Sequence, residues 1–180
     1  ISVGSAVFND AAFNGNTASA TFSWTYNTTL PAVTIASSTV SSGDTSNDAS
    51  IALSFTLSAS SADFTASDIT LSNGTISAFA GTGTSYSATF TPAADGATSI
   101  LVGAGVFTDG YGNANTASAV FSWTYDSVSP SVTITSADVN DGDSSSDSSI
   151  AVRFTTSKPV TGFTSDDVSV TGGTLSGFSG

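Results

Sequence analysis

The 180-residue sequence contains no cysteine, histidine, methionine, glutamate or glutamine. Without cysteine there is no disulfide framework, and without cysteine or histidine no thiolate or imidazole metal site. A serine nucleophile has no histidine to take its proton. Basic residues are scarce too: Arg153 and Lys158 stand against 14 carboxylates, all aspartate, for a net charge of −12. A field of that sign repels phosphate backbones and excludes nucleic acid as a partner. No apolar run reaches the length of a membrane span. The good helix formers are almost gone with Glu, Gln, Lys, Arg and Met.

What is present favours strands. Apolar residues make up 39% of the chain, with 12 Phe, while charged residues make up only 9%. Polarity comes from Ser and Thr instead. Thr, Val, Ile and Phe fit pleated, half-buried surfaces. The composition therefore predicts an all-β protein.

An internal repeat organises the chain. Phe22-Ser-Trp-Thr-Tyr26 returns as Phe121-Ser-Trp-Thr-Tyr125, and the same 99-residue offset places Pro31 over Pro130, Ile51 over Ile150, Phe64 over Phe163 and Phe79 over Phe178. The register runs without a gap from Ile1 over Ile100 to Gly81 over Gly180. A 99-residue period is the size of one seven-strand sandwich domain. The frame gives residues 1–29 as the C-terminal part of one repeat, 30–128 as a complete repeat, and 129–180 as the N-terminal part of the next. Beginning and ending in mid-repeat predicts a longer array around these residues. The link Asp126-Ser-Val-Ser-Pro130 is short and has a φ-fixing proline, so neighbouring domains are expected end to end with little freedom.

Within the complete repeat, period-two alternation marks the strands. Val33 and Ile35 alternate in the first, and Ile51, Leu53, Phe55 and Leu57 in the second. Ile69 and Leu71 mark the third, followed by Asn73-Gly74, a dipeptide that predicts a hairpin. Ile76 and Phe79 come next, then Tyr86, Ala88 and Phe90, then Ile100 and Val102, and last Ala119, Phe121, Trp123 and Tyr125. The expected fold is all-β: tandem immunoglobulin-like β-sandwich domains with a 99-residue repeat and no disulfide. Trp24 and Trp123, on alternating strands, are expected in cores rather than in a sugar-stacking surface.

The candidate site is acidic. The complete repeat carries Asp44, Asp48, Asp63, Asp68, Asp95, Asp109 and Asp126 and no basic residue. Asp109, Asn113 and Asn115 offer side-chain oxygens on a Gly-rich loop, a donor set that suits a hard cation such as Ca²⁺; Asp10, Asn14 and Asn16 repeat it. In the sandwich topology Asp68 and the Asp109 loop share the end facing the preceding domain. Asp44 and Asp48, with Asp95, take the other end. Carboxylates from two domains then converge at each junction, with Asp126 in the linker, and a divalent cation would turn their repulsion into a rigid joint. Asp, Asn and Gly are also ordinary turn formers, and acidic loops aid solubility. Adjacent Asp166-Asp167 is no catalytic pair, because neighbours on a strand face opposite ways and Ser67 replaces one of them in the other copy. Asn27-Thr-Thr29 and Asn73-Gly-Thr75 fit the N-glycosylation pattern.

The strings Asp44-Thr-Ser-Asn-Asp-Ala-Ser-Ile-Ala-Leu53, Phe64-Thr-Ala-Ser-Asp-Ile-Thr-Leu-Ser-Asn-Gly-Thr75, Tyr86-Ser-Ala-Thr-Phe-Thr-Pro92, Asp95-Gly96 and Phe107-Thr-Asp-Gly-Tyr-Gly-Asn-Ala-Asn115 resemble the bacterial Ig-like repeats of very large surface proteins and adhesins. The resemblance covers the whole chain, copy by copy. It implies a secreted tandem array with no enzymatic activity and, as in calcium-stiffened adhesin repeats, Ca²⁺ at the acidic junction loops. The expected function is a non-enzymatic extracellular spacer at a cell surface, its partners the neighbouring repeats of its own chain. A building block of a surface layer or extracellular filament, assembled sideways, is the alternative. A glycan-binding module is a third, for which only Tyr111 supplies a loop aromatic.

Overall fold

The computed structural model describes residues 1–180 as two units, Ile1–Asp126 and Ser127–Gly180. In the first unit seven strands form two sheets: β1 (Val33–Ser37), β2 (Thr45–Ser46), β3 (Ile51–Ser61), β4 (Ile69–Ser72), β5 (Gly74–Pro92), β6 (Gly96–Val102) and β7 (Phe121–Tyr125). One sheet has the order β1-β3-β5, the other β2-β7-β6-β4, and only the β2–β7 pair is parallel. This is an immunoglobulin-like β-sandwich.

Alternation puts the expected residues inside. Along β3, Ile51, Leu53, Phe55 and Leu57 are buried while Ala52, Ser54, Thr56 and Ser58 face outward. Tyr86, Ala88 and Phe90 of β5, Ile100 and Val102 of β6, and Phe121 and Trp123 of β7 close the core from the other strands. The last strand begins at Phe121, so Ala119 lies outside it and is exposed. Thr98 is the interior hydroxyl of β6, and its Oγ1 donates to the Trp123 carbonyl at 2.9 Å. Around Phe64 the core is aromatic, with ring centroids of Tyr86 and Phe107 each 5.0 Å away.

Asn73-Gly74 is not a hairpin. It stands between β4, which pairs with β6, and β5, which pairs with β3, and so carries the chain from one sheet to the other. Asn73 takes the left-handed conformation such a corner needs, φ +55°. The hairpin lies inside β5. A straight 19-residue strand would run about 60 Å, yet a Cβ built on Gly74 would fall 2.2 Å from the Phe90 ring and one on Gly81 2.3 Å from the Ser85 carbonyl. The strand therefore doubles back near Gly83, φ +66°. Its first limb supplies Ile76 and Phe79 to the core. Their three-residue spacing breaks alternation because Ala78, at φ +51°, bulges between them.

The ladders also fix the two ends of the sandwich. Where β1 begins, β3 finishes and, in the second sheet, β4 begins beside the end of β6. Asp63, Asp68 and the long loop before β7 belong to this leading end. The starts of β3 and β6 meet the ends of β5 and β7 at the other, with Asp44, Asp48, Asp95 and Asp126.

The second unit repeats the first half of this plan. β8 (Val132–Ser136) pairs with β9 (Val152–Thr156) in the register of β1 and β3, 99 residues on. The Phe154–Phe163–Phe178 rings reproduce the Phe55–Phe64–Phe79 cluster, with centroids 5.4–5.9 Å apart against 5.6–6.2 Å. Its other apolar positions lack cover: Val132, Ile134, Ile150 and Val152 are exposed. Residues 1–29 differ from their later copy in the same way. Trp123 is 3% exposed and Trp24, its copy, 67%. Asp166 and Asp167 lie on a short 3₁₀ turn, Ser165–Asp167, rather than on a strand.

Candidate functional site

The loop between β6 and β7 is built by three side chains. Asp109 Oδ1 accepts the backbone N–H groups of Tyr111 and Asn113, both at 2.9 Å, and its Oδ2 accepts Asn113 Nδ2 at 3.0 Å. The amide donors lie two and four residues on, the reach of an Asx turn. Asn115 Oδ1 accepts the N–H groups of Val106 and Phe107 at 2.8 and 3.1 Å, and its Nδ2 donates to the carbonyls of Gly103 and Thr116 at 2.7 and 2.8 Å. Asp109 is 6% exposed and Asn115 3%. Gly112 turns the tip at φ +85°. Tyr111, at that tip, is 65% exposed.

Asp10, Asn14 and Asn16 make the same bonds. Asp10 Oδ1 accepts from the N–H groups of Ala12 and Asn14, and Oδ2 from Asn14 Nδ2. Asn16 Oδ1 accepts from Val7 and Phe8, and its Nδ2 donates to Gly4 and Thr17. This loop keeps its form although Phe8, the counterpart of buried Phe107, is 62% exposed.

The other carboxylates hold their own turns. Asp68 Oδ2 accepts Thr65 N–H and Oγ1 at 2.7 and 3.0 Å across the 3₁₀ turn Ala66–Asp68, and Asp167 does the same with Thr164. Asp44 Oδ2 accepts Ser41 N–H, and Asp48 Oδ2 the Ser46 hydroxyl, both at 2.8 Å. Asp126 donates its backbone N–H to the Ser46 carbonyl. The structure brings Asp109, Asn113 and Asn115 into one loop and puts Asp68 at the same end. Asp44, Asp48 and Asp126 gather around the β2–β7 pair at the other. Within neither unit do three carboxylates converge as a metal-binding group. In the Asp109 loop, Asp109 Oδ1 and Asn115 Oδ1 each already accept two N–H bonds, and Asp109 Oδ2 accepts one.

Asp63 was not a candidate, yet it ties this loop to the sheet. It accepts Ser61 Oγ at 2.7 Å, Thr108 N–H at 3.0 Å and Thr108 Oγ1 at 2.9 Å, across 45 residues. The next copy has Gly162 at this position.

The loop also holds the incoming chain. Asn113 Nδ2 donates to the Asn27 carbonyl at 3.2 Å, and Thr116 N–H to the Pro31 carbonyl at 2.9 Å. Ala32 and Ser58 exchange two bonds, Ala32 N–H to Ser58 Oγ and Ser58 N–H to the Ala32 carbonyl, both at 2.9 Å.

These bonds set a pH dependence. The Asn113 amide and the backbone N–H groups around it hold the Asp109 carboxyl below its usual range. The Ser61 hydroxyl and then Thr108 N–H do so for Asp63. Asp10 and Asp143 are lowered by Asn14 and Asn140. Each folded value lies below the unfolded one, so the stabilisation is complete above about pH 4 and is lost as pH falls through the folded values. The urea midpoint is expected to stay level from pH 7 to about 5 and to drop below about 4. Asp63→Asn should flatten that drop, and an unchanged acid limb in the variant would remove Asp63 from it.

No curated protein and no solved structure shows significant similarity to the chain. The sequence profile of a bacterial Ig-like domain matches residues 27–125 and again 126–180. With the sandwich and its 99-residue recurrence, this match shows that the chain belongs to the bacterial Ig-like domain family.

Proposed function

We propose that the protein is a non-enzymatic spacer of a long extracellular repeat protein, an adhesin-type stalk whose joints resist bending. Domains of this family are typically structural modules and are common in extracellular surface proteins. No helix of the chain is long and apolar enough to cross a membrane. The observation that carries the reading is the grip on the incoming chain. From Asn27 to Ala32 the backbone is hydrogen-bonded to the leading end of the sandwich by Asn113, Thr116 and Ser58. The Asn113 bond crosses to Asn27 before the repeat, and Thr116 and Ser58 fix the repeat's own first residues, Pro31 and Ala32, so the link enters at a set place and lacks the freedom of a Gly-rich tether.

A second reading, a building block of a surface layer or filament, rests on the outer face of the β1-β3-β5 sheet. Cross-strand rows there read Thr34–Thr56–Ser85 and Ala36–Ser54–Ser87, small and uncharged, while the carboxylates lie at the ends.

Small-angle scattering on three tandem copies of residues 30–128 separates the two. Strands of this kind rise about 3.3 Å per residue, so a stiff spacer should lengthen by roughly 30–45 Å per repeat. Asn113→Ala should shorten the maximum dimension and broaden the distance distribution while the domains melt as before. A flexible wild-type chain would remove the spacer reading. Growth of the scattering mass with concentration would favour lateral assembly.

A further inference from the structure

We infer that the Asp109–Asn115 loop is a cation-independent clasp, which fixes the incoming linker by its own hydrogen bonds rather than through a bound metal. The inference rests on the spacer reading and names what holds the joint. Its residues are of the kind that bind Ca²⁺, but the Asp109 carboxylate and Asn115 Oδ1 are turned onto amides. A cation at Asp109 Oδ1 would have to displace the Tyr111 and Asn113 N–H groups, and one at Asn115 Oδ1 the Val106 and Phe107 N–H groups, which leaves Asp109 Oδ2, holding one bond from Asn113 Nδ2, as too small a share of the roughly six to eight oxygens Ca²⁺ takes. Those four donors would then lie beside an ion of their own sign. Asn113 is the clearest sign of role: it turns its amide nitrogen, a donor, to both Asp109 Oδ2 and the Asn27 carbonyl. A metal ligand would present its oxygen instead.

The second copy supplies the independent observation. Asp10, Asn14 and Asn16 form the same set of bonds in a segment whose Phe8, Phe22 and Trp24 are exposed. The loop's internal bonds thus form from local contacts alone. What differs between the copies is the tip, Gly110-Tyr111-Gly112 against Ala11-Ala12-Phe13, while the three polar positions stay.

The test is a Ca²⁺ titration of the 180-residue chain, followed by the amide resonances of residues 106–116. Extracellular calcium modules bind with Kd values up to about 1 mM. The clasp predicts no saturable shift of these resonances up to about 10 mM, tenfold beyond that limit. Asn113→Asp tests the donor itself. A metal site would gain a ligand and bind Ca²⁺ more tightly, whereas the clasp would lose its donor and set two carboxylates together. The variant is therefore expected to melt at a lower temperature in chelator. Saturable shifts in the wild type at or below millimolar Ca²⁺ would overturn the inference, as would an unchanged midpoint for Asn113→Asp in chelator. Neither result depends on the shape of tandem arrays, so scattering can fail the spacer reading while the clasp stands, and the reverse.

Discussion

Trp123→Ala is expected to cost about 3–5 kcal/mol of folding free energy, the usual range for deleting a buried Trp. The same replacement at Trp24 should change the stability of the 180-residue chain by less than about 0.5 kcal/mol, as exposed substitutions do. The two residues share one pentapeptide, Phe-Ser-Trp-Thr-Tyr, so local sequence predicts equal effects. Their surroundings do not. Trp123 meets the Phe90 ring edge-on, with centroids 4.9 Å apart, and lies beside Phe121 at 5.7 Å. Its backbone carbonyl accepts the hydroxyl of buried Thr98. Its indole Nε1 is buried with no hydrogen-bond partner, so the side chain is held by packing alone. Removing the side chain leaves a cavity between two sheets that share a single core. A domain of this size is stable by about 5–15 kcal/mol, and each kcal/mol moves its melting point by about 4–8 °C. The loss should therefore be visible by circular dichroism as a fall of at least about 12 °C. Equal midpoints for the two variants would mean that residues 1–29 are packed as well as residues 100–128.

That contrast shows what the chain discloses when read as letters. The 99-residue recurrence and the alternation in Ile51–Leu57, Tyr86–Phe90 and Phe121–Tyr125 give the strands, their inward faces and the sandwich, because burial on one face imposes a period of two. Whether a given face is covered depends on strands elsewhere in the chain. β2 was not legible at all: two residues, Thr45 and Ser46, carry no pattern, and their parallel pairing with β7 comes from the path of the chain.

The acidic loop was half legible. Asp, Asn and Asn at intervals of four and two do mark a built loop, and its place at the leading end follows from the topology. Oxygen atoms that accept amides and oxygen atoms that bind cations have the same letters, however. The direction in which Asn113 turns its amide is a property of the folded chain. Asp63 had a local signal, Ser61-Ala-Asp63, the hydroxyl-to-carboxylate pattern that recurs in Ser46-Asn-Asp48 and Ser145-Ser-Asp147. Its second partner, Thr108, lies too far along the chain for any local pattern to reveal.

The fold-back inside β5 leads to the other large effect. Gly74→Ala and Gly81→Ala should each destabilise the domain by about 3 kcal/mol, at the upper end of overpacking costs. Gly43→Ala is the control: its φ of +99° is strained for alanine, but no atom lies within 4 Å of its Cβ position. At Gly74 the added Cβ would sit 2.2 and 2.6 Å from Phe90 ring carbons and 2.7 Å from the Thr91 carbonyl oxygen. At Gly81 it would sit 2.3 Å from the Ser85 carbonyl oxygen and 2.5 Å from the Tyr86 Cα, with φ at +146°. The two sites differ in what stands in the way. The nearest atoms to Gly74 belong to a side chain that mutation can remove, while those nearest Gly81 are backbone. In a Phe90→Leu background Gly74→Ala should therefore lose part of its cost, a coupling of about 1 kcal/mol for neighbours of this kind. Gly81→Ala should show no such relief, because no substitution in the facing limb removes a carbonyl. Urea melts of the single and double variants give the cycle directly. Full additivity at Gly74 would separate the two limbs of β5 and return Asn73-Gly74 to the hairpin that its letters suggest. A mild effect at Gly81 would mean that the limbs part easily, leaving β3 to hold the second limb alone.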